Sequence, residues 1–313
     1  MITVSSPASC RRLVAVVGPT ASGKTELAVA LAESLAGELV NADSRQALAE
    51  VAVGVCKPTS EELRGIPCHG LAWRHLGQPF TAVDFVQRAD PVLEAVWGRG
   101  RIPIVAGGTG LYIRALLSGY DFGRVSPPAG ESGRAPLPDP NTLKENIAEL
   151  TRLAPEMAQR VDLHNPRRVG RALELARAGA SPSRLAPVWS AVKIGCRVEP
   201  GGLRARIQSR AERIMGPELQ AEVAGLLQAG YSAETIGGAA IGYAEALAWM
   251  AGDCSREQAT QELASRTWRY AKAQRTWLRS EPGVVWIDAD MDIQGMLATS
   301  RSLLESRWHQ ECV

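Results

Sequence analysis

The stretch VVGPTASGKTELAVALA, Val16 to Ala32, decides the fold. An apolar, β-rich run, Leu13 to Val17, suits a buried central strand. It enters a glycine turn, and Lys24-Thr25 opens a segment with Leu27, Leu31 and Leu35 at helical spacing. Gly37 is expected to stop that helix. Gly18, Gly23, Lys24 and Thr25 satisfy GxxxxGK[ST], with the strand before and the helix after that this motif requires. Glycines let backbone N–H groups turn onto phosphate oxygens, the helix N-terminus adds positive dipole, and Lys24 adds charge. The loop Gly18-Pro19-Thr20-Ala21-Ser22-Gly23-Lys24-Thr25 is therefore read as a phosphate cradle, with the Thr25 hydroxyl able to hold Mg²⁺.

Working outward, Glu38 to Asn41 reads as a second strand, Phe80 to Trp97 as a helix, and Arg101 to Ala106 as a third strand stopped by GGTG. Strands alternating with helices predict an α/β fold with a parallel sheet of the P-loop type. Past Leu117 the segment Asp121 to Pro140 is rich in Pro and Gly and reads as a linker or flexible loop. Helical patterns follow to about Gly179, Ser190 to Pro200 turns β-like, and Val284 to Asp288 is a late β-like run. The expected organisation is a core in two parts, 1–120 and 189–290, around a small inserted helical domain at 121–188, with 291–313 as a C-terminal tail.

The 313 residues carry a net charge of +2, are 45% hydrophobic, and have six scattered cysteines without a CxxC pair. A disulfide framework or zinc cluster is not expected, and a reducing cytoplasm fits best. Neither a secretory signal nor a membrane span is expected.

A P-loop usually works with a second acid at the end of an apolar strand, holding Mg²⁺ for γ-phosphate chemistry. Here Ile102 to Val105 runs into Ala106-Gly107-Gly108-Thr109 with no acid. The carboxylate sits instead in Asp43-Ser44-Arg45-Gln46, after the second strand. Asp43 could face the cleft or serve as a helix N-cap, with Ser44 an equally good cap. Gly107-Gly108-Thr109 could present a hydroxyl to phosphate or be plain turn chemistry. Three segments concentrate arginine: Arg167, Arg168, Arg171 and Arg177; Arg204, Arg206, Arg210 and Arg213; and Arg256, Arg266, Arg269, Lys272, Arg275 and Arg279, interleaved with Trp268, Tyr270 and Trp277. Singly each reads as a solvated helix face. Together, in a near-neutral chain, they point to a polyanion such as RNA.

In order along the chain, GPTASGKTELA, ADSRQ, KPT at Lys57, GIPCH at Gly65 and TAVDF at Thr81 precede RIPIVAGGTGLYIRALL. NPRRVGRALEL, RI(x)₂R at Arg206, AAIGYAEAL at Ala239 and TWRYAKAQRTWLR follow it. This set resembles the tRNA dimethylallyltransferases, and the resemblance covers nearly the whole chain. It implies transfer of a dimethylallyl group from dimethylallyl diphosphate to N6 of adenosine 37, beside the tRNA anticodon. On that resemblance Asp43 is the general base, and Thr109 and an arginine, Arg206 or Arg210, contact the diphosphate. Asp43, Ser44, Arg45 and Gln46, then Arg167, Arg168, Val169, Gly170 and Arg171, then Ala239, Ala240, Ile241, Gly242, Tyr243 and Ala244 are expected to face the tRNA anticodon stem-loop. Mg²⁺ is the expected cofactor and a monomer the expected state, with no protein partner implied. The chain departs from the family pattern at Leu48, Ala52, Val55, Cys68, Ala273 and Gly216-Pro217. The absence of a Cys₂His₂ finger resembles the bacterial form. The rival readings are a small-molecule P-loop kinase, an isopentenyltransferase acting on free adenine nucleotides, and a non-catalytic RNA-binding protein.

Overall fold

The structure, a computed structural model, describes residues 11–118, 120–121, 139–180, 183–184 and 189–310. The elements run β1 (Arg12–Val17), α1 (Lys24–Ser34), β2 (Glu38–Asn41), β3 (Cys68–His69), α2 (Ala82–Gly98), β4 (Pro103–Gly107) and α3 (Gly110–Leu117). Next come β5 (Tyr120–Asp121), α4 (Pro140–Leu153), α5 (Pro155–Arg160), α6 (Pro166–Arg177), β6 (Ser183–Arg184) and β7 (Ser190–Arg197). The chain ends with α7 (Pro200–Ile214), α8 (Pro217–Gln228), α9 (Ala233–Gly237), α10 (Tyr243–Ala251), α11 (Arg256–Arg279), β8 (Val284–Asp288) and α12 (Ile293–Gln310).

Six strands form one sheet in the order β3-β2-β4-β1-β7-β8, every pair parallel. Leu13 to Val17 of β1 are buried throughout, as expected of a strand covered on both faces. The order reverses around β1, so the loops leaving β1, β2 and β4 open at the same carboxyl edge. That edge is where parallel sheets bind ligands.

Helix α1 ends differently from the sequence expectation. Ala36, at φ 49°, takes the left-handed position, and Gly37 N–H donates to Ala32 O at 2.8 Å. Gly37 is required for a different reason: a Cβ there would lie 2.6 Å from the Ile102 carbonyl oxygen.

Residues 1–78, 87–114 and 188–313 form one compact unit, and 79–86 with 115–187 a second. The second unit thus takes in more than the expected 121–188. It contains α4, α5, α6 and the antiparallel β5–β6 pair, with Leu150, Ala158, Ala172 and Leu173 as its core. Most of the Pro/Gly-rich segment lies outside the described residues. At its end Asp139 caps α4, accepting from the Asn141 and Thr142 amides.

The stretch 291–313, read as a tail, instead carries α12, which packs on α1. Met296, Ser300, Leu304 and Trp308 form its buried face. Ser300 interrupts the apolar stripe, which hides the pattern in the sequence. Its hydroxyl is satisfied by donating to Met296 O at 2.7 Å.

Candidate functional site

The loop from Gly18 to Gly23 leaves β1 and winds into α1. Ala21 and Gly23 hold φ of 63° and 81°, the left-handed turns that curl the loop. A Cβ on Gly18 would sit 2.5 Å from Ser22 Oγ, so only glycine closes the turn there. Gly23 caps α1 without a side-chain hydrogen bond, leaving the first amides of the helix to an incoming anion. The Thr20 amide is already engaged, donating to Gln274 Oε1 at 2.8 Å. Lys24 Nζ rests on Pro19 O at 3.3 Å. Burial, reinforced by Arg210, pushes the Lys24 ammonium below the usual lysine range, and Asp43 opposes that shift.

The facing wall comes from the ends of β2 and β4. Ala42 N–H donates to Ala106 O, and Thr109 N–H to Ala42 O. A Cβ on Gly107 would lie 2.2 Å from Ala42 O, which explains the first glycine of the pair. Asp43 reconciles both sequence readings. Its Oδ1 accepts from the Arg45 amide at 2.9 Å and the Gln46 amide at 3.4 Å, capping the turn. Its carboxylate also lines the cavity, and among the described residues Oδ2 has no hydrogen-bond partner.

Thr109 was expected to offer its hydroxyl to phosphate. In the structure Oγ1 accepts from the Ser44 amide at 2.9 Å and donates to Ser44 Oγ at 3.2 Å. Thr109 therefore fixes the turn that carries Asp43 and does not itself line the cavity. Arg45 and Gln46 also brace this turn. Arg45 Nη1 donates to Ala239 O, and Gln46 Nε2 to the carbonyls of Val55 and Cys56.

Helix α11 closes the site and supplies a residue that the sequence reading did not single out. Gln274 accepts from Thr20 N–H and donates from Nε2 to Gly108 O at 2.8 Å, tying the two glycine loops together. Only its place in the YAKAQ run marked it, because its partners lie far away in the chain. Tyr270, one turn earlier, also lines the cavity. Its phenol is pushed up to about 12 by burial and by the negative charge of Asp43.

The cavity holds about 180 Å³. One part is apolar, with Ala28, Leu39, Val55, Ile214 and Leu263. Cys68 adds to this wall, its thiol pushed up to about 12 by burial and so kept protonated. The other part is polar, with Thr20, Lys24, Thr25, Asp43 and Arg210.

The two arginines of RIQSR take different positions. Arg210 lines the cavity beside Lys24. Arg206 turns away, donating from Nη2 to Ala289 O and Asp290 Oδ1, both at 2.9 Å. Arg210→Ala is accordingly expected to lower kcat/KM by about 10²-fold or more. Arg206→Ala is expected to stay within about threefold, as for other partly exposed ion pairs. Steady-state kinetics on both variants checks this; equal losses would reject the assignment.

No group of three His, Cys, Asp or Glu able to hold a metal exists among the described residues. Thr25 is exposed at the loop exit and lines the cavity, and its hydroxyl has no hydrogen-bond partner among the described residues. One hydroxyl and a single lining carboxylate, that of Asp43, suit a Mg²⁺ ion carried in largely by phosphate oxygens of the substrate.

The segments expected to face RNA divide. Ala240 and Ile241 line the cavity, and Gly242, at φ 112°, turns the chain into α10 next to Ala244. Ala239 is buried, and so is Tyr243, whose hydroxyl donates to Glu222 Oε1. That bond and burial push the phenol above its ordinary range. Tyr243 is thus a core residue: it leaves no room for a Cβ at Gly54 and shares Glu222 with the Ala52 and Val53 amides.

In the second unit Val169 is fully buried, Arg167 and Arg168 are exposed, and Gly170 is half-buried. Arg171 pairs with Glu174. Much of the arginine excess is spent within the chain. Arg177 pairs with Glu149, Arg266 with Glu245 and Arg269 with Glu262. Arg256 holds the Met215 and Glu212 carbonyls, and Arg204 stacks over Trp268.

Comparison with known proteins agrees with this geometry. The family model described as IPP transferase matches residues 46–281. A tRNA dimethylallyltransferase of Anaeromyxobacter dehalogenans is 40% identical over 307 residues, 95% of this chain and 98% of the relative. The tRNA dimethylallyltransferase 1 of Pelobacter propionicus is 38% identical over 88% of this chain and 92% of the relative. Among solved structures, the full-length tRNA isopentenylpyrophosphate transferase of Bacillus halodurans superposes with a TM-score of 0.71 at 30% identity. That match covers 96% of this chain and 98% of the other.

Proposed function

The chain belongs to the IPP transferase family, is a tRNA-modifying prenyltransferase, and on that footing we propose that it moves the dimethylallyl group of dimethylallyl diphosphate onto N6 of adenosine 37 in tRNA. The observation that carries this reading is the free Oδ2 of Asp43, in the same cavity as the phosphate loop.

The amides at the start of α1, Lys24 and Arg210 take the diphosphate, and the apolar wall takes the prenyl chain. The allylic C–O bond breaks as positive charge grows on the allyl carbon and negative charge on the departing diphosphate. Lys24 and Arg210 are fixed in advance where that anion forms. Mg²⁺, held by Thr25 and phosphate oxygens, would supply additional charge neutralisation for the leaving group.

The exocyclic N6 is a poor nucleophile because its lone pair is delocalised into the purine. It forms the new N–C bond as its proton passes to Asp43 Oδ2. The Tyr270 ring beside Asp43 offers a face for an adenine turned out of its stack. Splitting of a γ-phosphate has no acid to support it at the end of β4, which argues against the kinase reading.

We place the enzyme in the cytoplasm, with its tRNA substrate, as a monomer. No helix among the described residues is long and apolar enough to cross a membrane.

Nucleoside mass spectrometry of unmodified tRNA incubated with the protein, Mg²⁺ and dimethylallyl diphosphate is expected to reveal N6-dimethylallyladenosine. The product should vanish when adenosine 37 is replaced. Unaltered tRNA under saturating donor would reject the reading.

A further inference from the structure

Ala28, Leu39 and Cys68 meet at the inner end of the cavity. Helix α1 runs back from the phosphate loop along one face of the sheet, so Ala28 lies four residues, about 6 Å, below Lys24. On the facing sheet Asn41 and Ala106 pair at the carboxyl edge, and Leu39 stands two residues, about 6.6 Å, further in. Cys68 pairs with Leu39 across β2 and β3, so the two side chains share the cavity face. The three residues thus form a floor at one level under the loop. That floor is held firmly, although β3 is short and at the sheet edge. Leu39 N–H donates to Pro67 O at 2.9 Å, and a Cβ on Gly70 would lie 2.6 Å from Asn41 O. On the opposite face His69 Nε2 lies 2.7 Å from Glu38 Oε2. The Glu38 carboxylate is buried and accepts from Arg99 Nε and Nη2 at 2.9 and 2.7 Å.

We infer that Cys68 sets the length of the prenyl group that the enzyme accepts, by closing the cavity floor one five-carbon unit below the phosphate loop. The inference rests on the proposed reaction with an allylic diphosphate. In a displacement at the first allyl carbon, the leaving oxygen and the entering N6 lie on opposite sides of that carbon. The hydrocarbon must therefore project out of the line between them. Lys24 and Arg210 mark the side of the oxygen and Asp43 that of the nitrogen, which leaves the apolar floor for the chain. Its depth suits a chain four carbons long with one methyl branch. Among the floor residues Cys68 is the adjustable one. Ala28 is already small, and Leu39 is 3% exposed within the main core. Cys68 is half-buried on the edge strand, with no further strand of the sheet beyond it among the described residues. A change of size there adds or removes cavity space without repacking the centre of the sheet.

The test is calorimetric titration of the full chain, with Mg²⁺ and without RNA, by allylic diphosphates that differ by one carbon. The donors are dimethylallyl diphosphate, but-2-enyl diphosphate with one methyl fewer, and 3-methylpent-2-enyl diphosphate with one methylene more. The parent chain is expected to bind the five-carbon donor about tenfold or more tightly than the six-carbon one, the usual weight of one methylene in an apolar pocket. Cys68→Ala should raise the six- to five-carbon affinity ratio by about tenfold. Cys68→Leu should weaken the five-carbon donor by about tenfold and leave the four-carbon donor within about threefold. Cys68→Ser keeps the size and should keep the parental ratios, even where every donor binds less well. Affinity for inorganic diphosphate should stay parental in all three variants. Parental ratios in Cys68→Ala would overturn the inference, and that variant decides alone if Cys68→Leu fails to fold. Equal weakening of inorganic diphosphate and the three donors would overturn it too, because the residue would then only support the fold. A parent chain that ranks the donors as expected but transfers no prenyl group to tRNA would reject the proposed reaction and leave the role of Cys68 in donor binding standing.

Discussion

Asp43→Asn is expected to lower kcat by about 10²–10⁴-fold while leaving the KM for tRNA within about threefold. The asymmetry of the two carboxylate oxygens is the reason. Oδ1 is committed to the Arg45 and Gln46 amides, whereas Oδ2 has no hydrogen-bond partner among the described residues, and the side chain lines the cavity. A carboxamide whose oxygen takes the Oδ1 position still caps the turn, yet it cannot accept a proton from N6. Asp43→Ala removes both functions. It should show a comparable loss in kcat and, in addition, a raised KM for tRNA, because the turn carrying Arg45 and Gln46 loses its cap. Single-turnover transfer assays separate the chemical step from binding. Near-parental turnover in Asp43→Asn would remove the general-base role, and identical behaviour of the two variants would remove the capping role.

How far the sequence led here depended on whether a feature is local. The phosphate loop, the β2 strand and the glycine pair after β4 are short-range patterns in which residue type follows backbone geometry, and each appears where its residues predicted. The mixed role of Asp43 was visible only as two competing alternatives. In the structure Oδ1 caps the turn, while Oδ2 has no hydrogen-bond partner among the described residues. What escaped depended on distant partners. Gln274 joins Thr20 and Gly108 across most of the chain. Arg206 and Arg210 stand on one helix four residues apart, and only the position of Asp290 separates them. Tyr243 and Val169 sit inside RNA-like motifs but face the cores of their units. The arginine-rich segments overstated the charge left free for a related reason: net charge along a helix does not reveal that its carboxylate partners come from other elements.

Lys24→Ala is expected to lower kcat/KM for dimethylallyl diphosphate by about 10²–10³-fold, the usual consequence of losing one fixed charge-stabilising donor. The pH dependence makes the expectation specific. Burial and the neighbouring Arg210 hold the free Lys24 below the usual lysine range, with Asp43 pulling the other way. A depressed ammonium pKa means that the neutral form takes over at a lower pH than for a solvated lysine. Affinity for the diphosphate should therefore be fully present below that lowered pKa and decline as pH rises through it, at a lower pH than for a solvated lysine. A bound diphosphate restores the charge, so donor binding should be accompanied by proton uptake in that window. Calorimetric titration in buffers of different ionisation enthalpy measures that uptake directly. In Lys24→Ala both the uptake and the alkaline decline should disappear. Lys24→Arg should recover little, since a planar guanidinium cannot occupy the compact position against Pro19 O. Parental affinity with an unchanged alkaline limb in Lys24→Ala would place the leaving anion away from the loop, and with it the direction from which the prenyl carbon reaches Asp43.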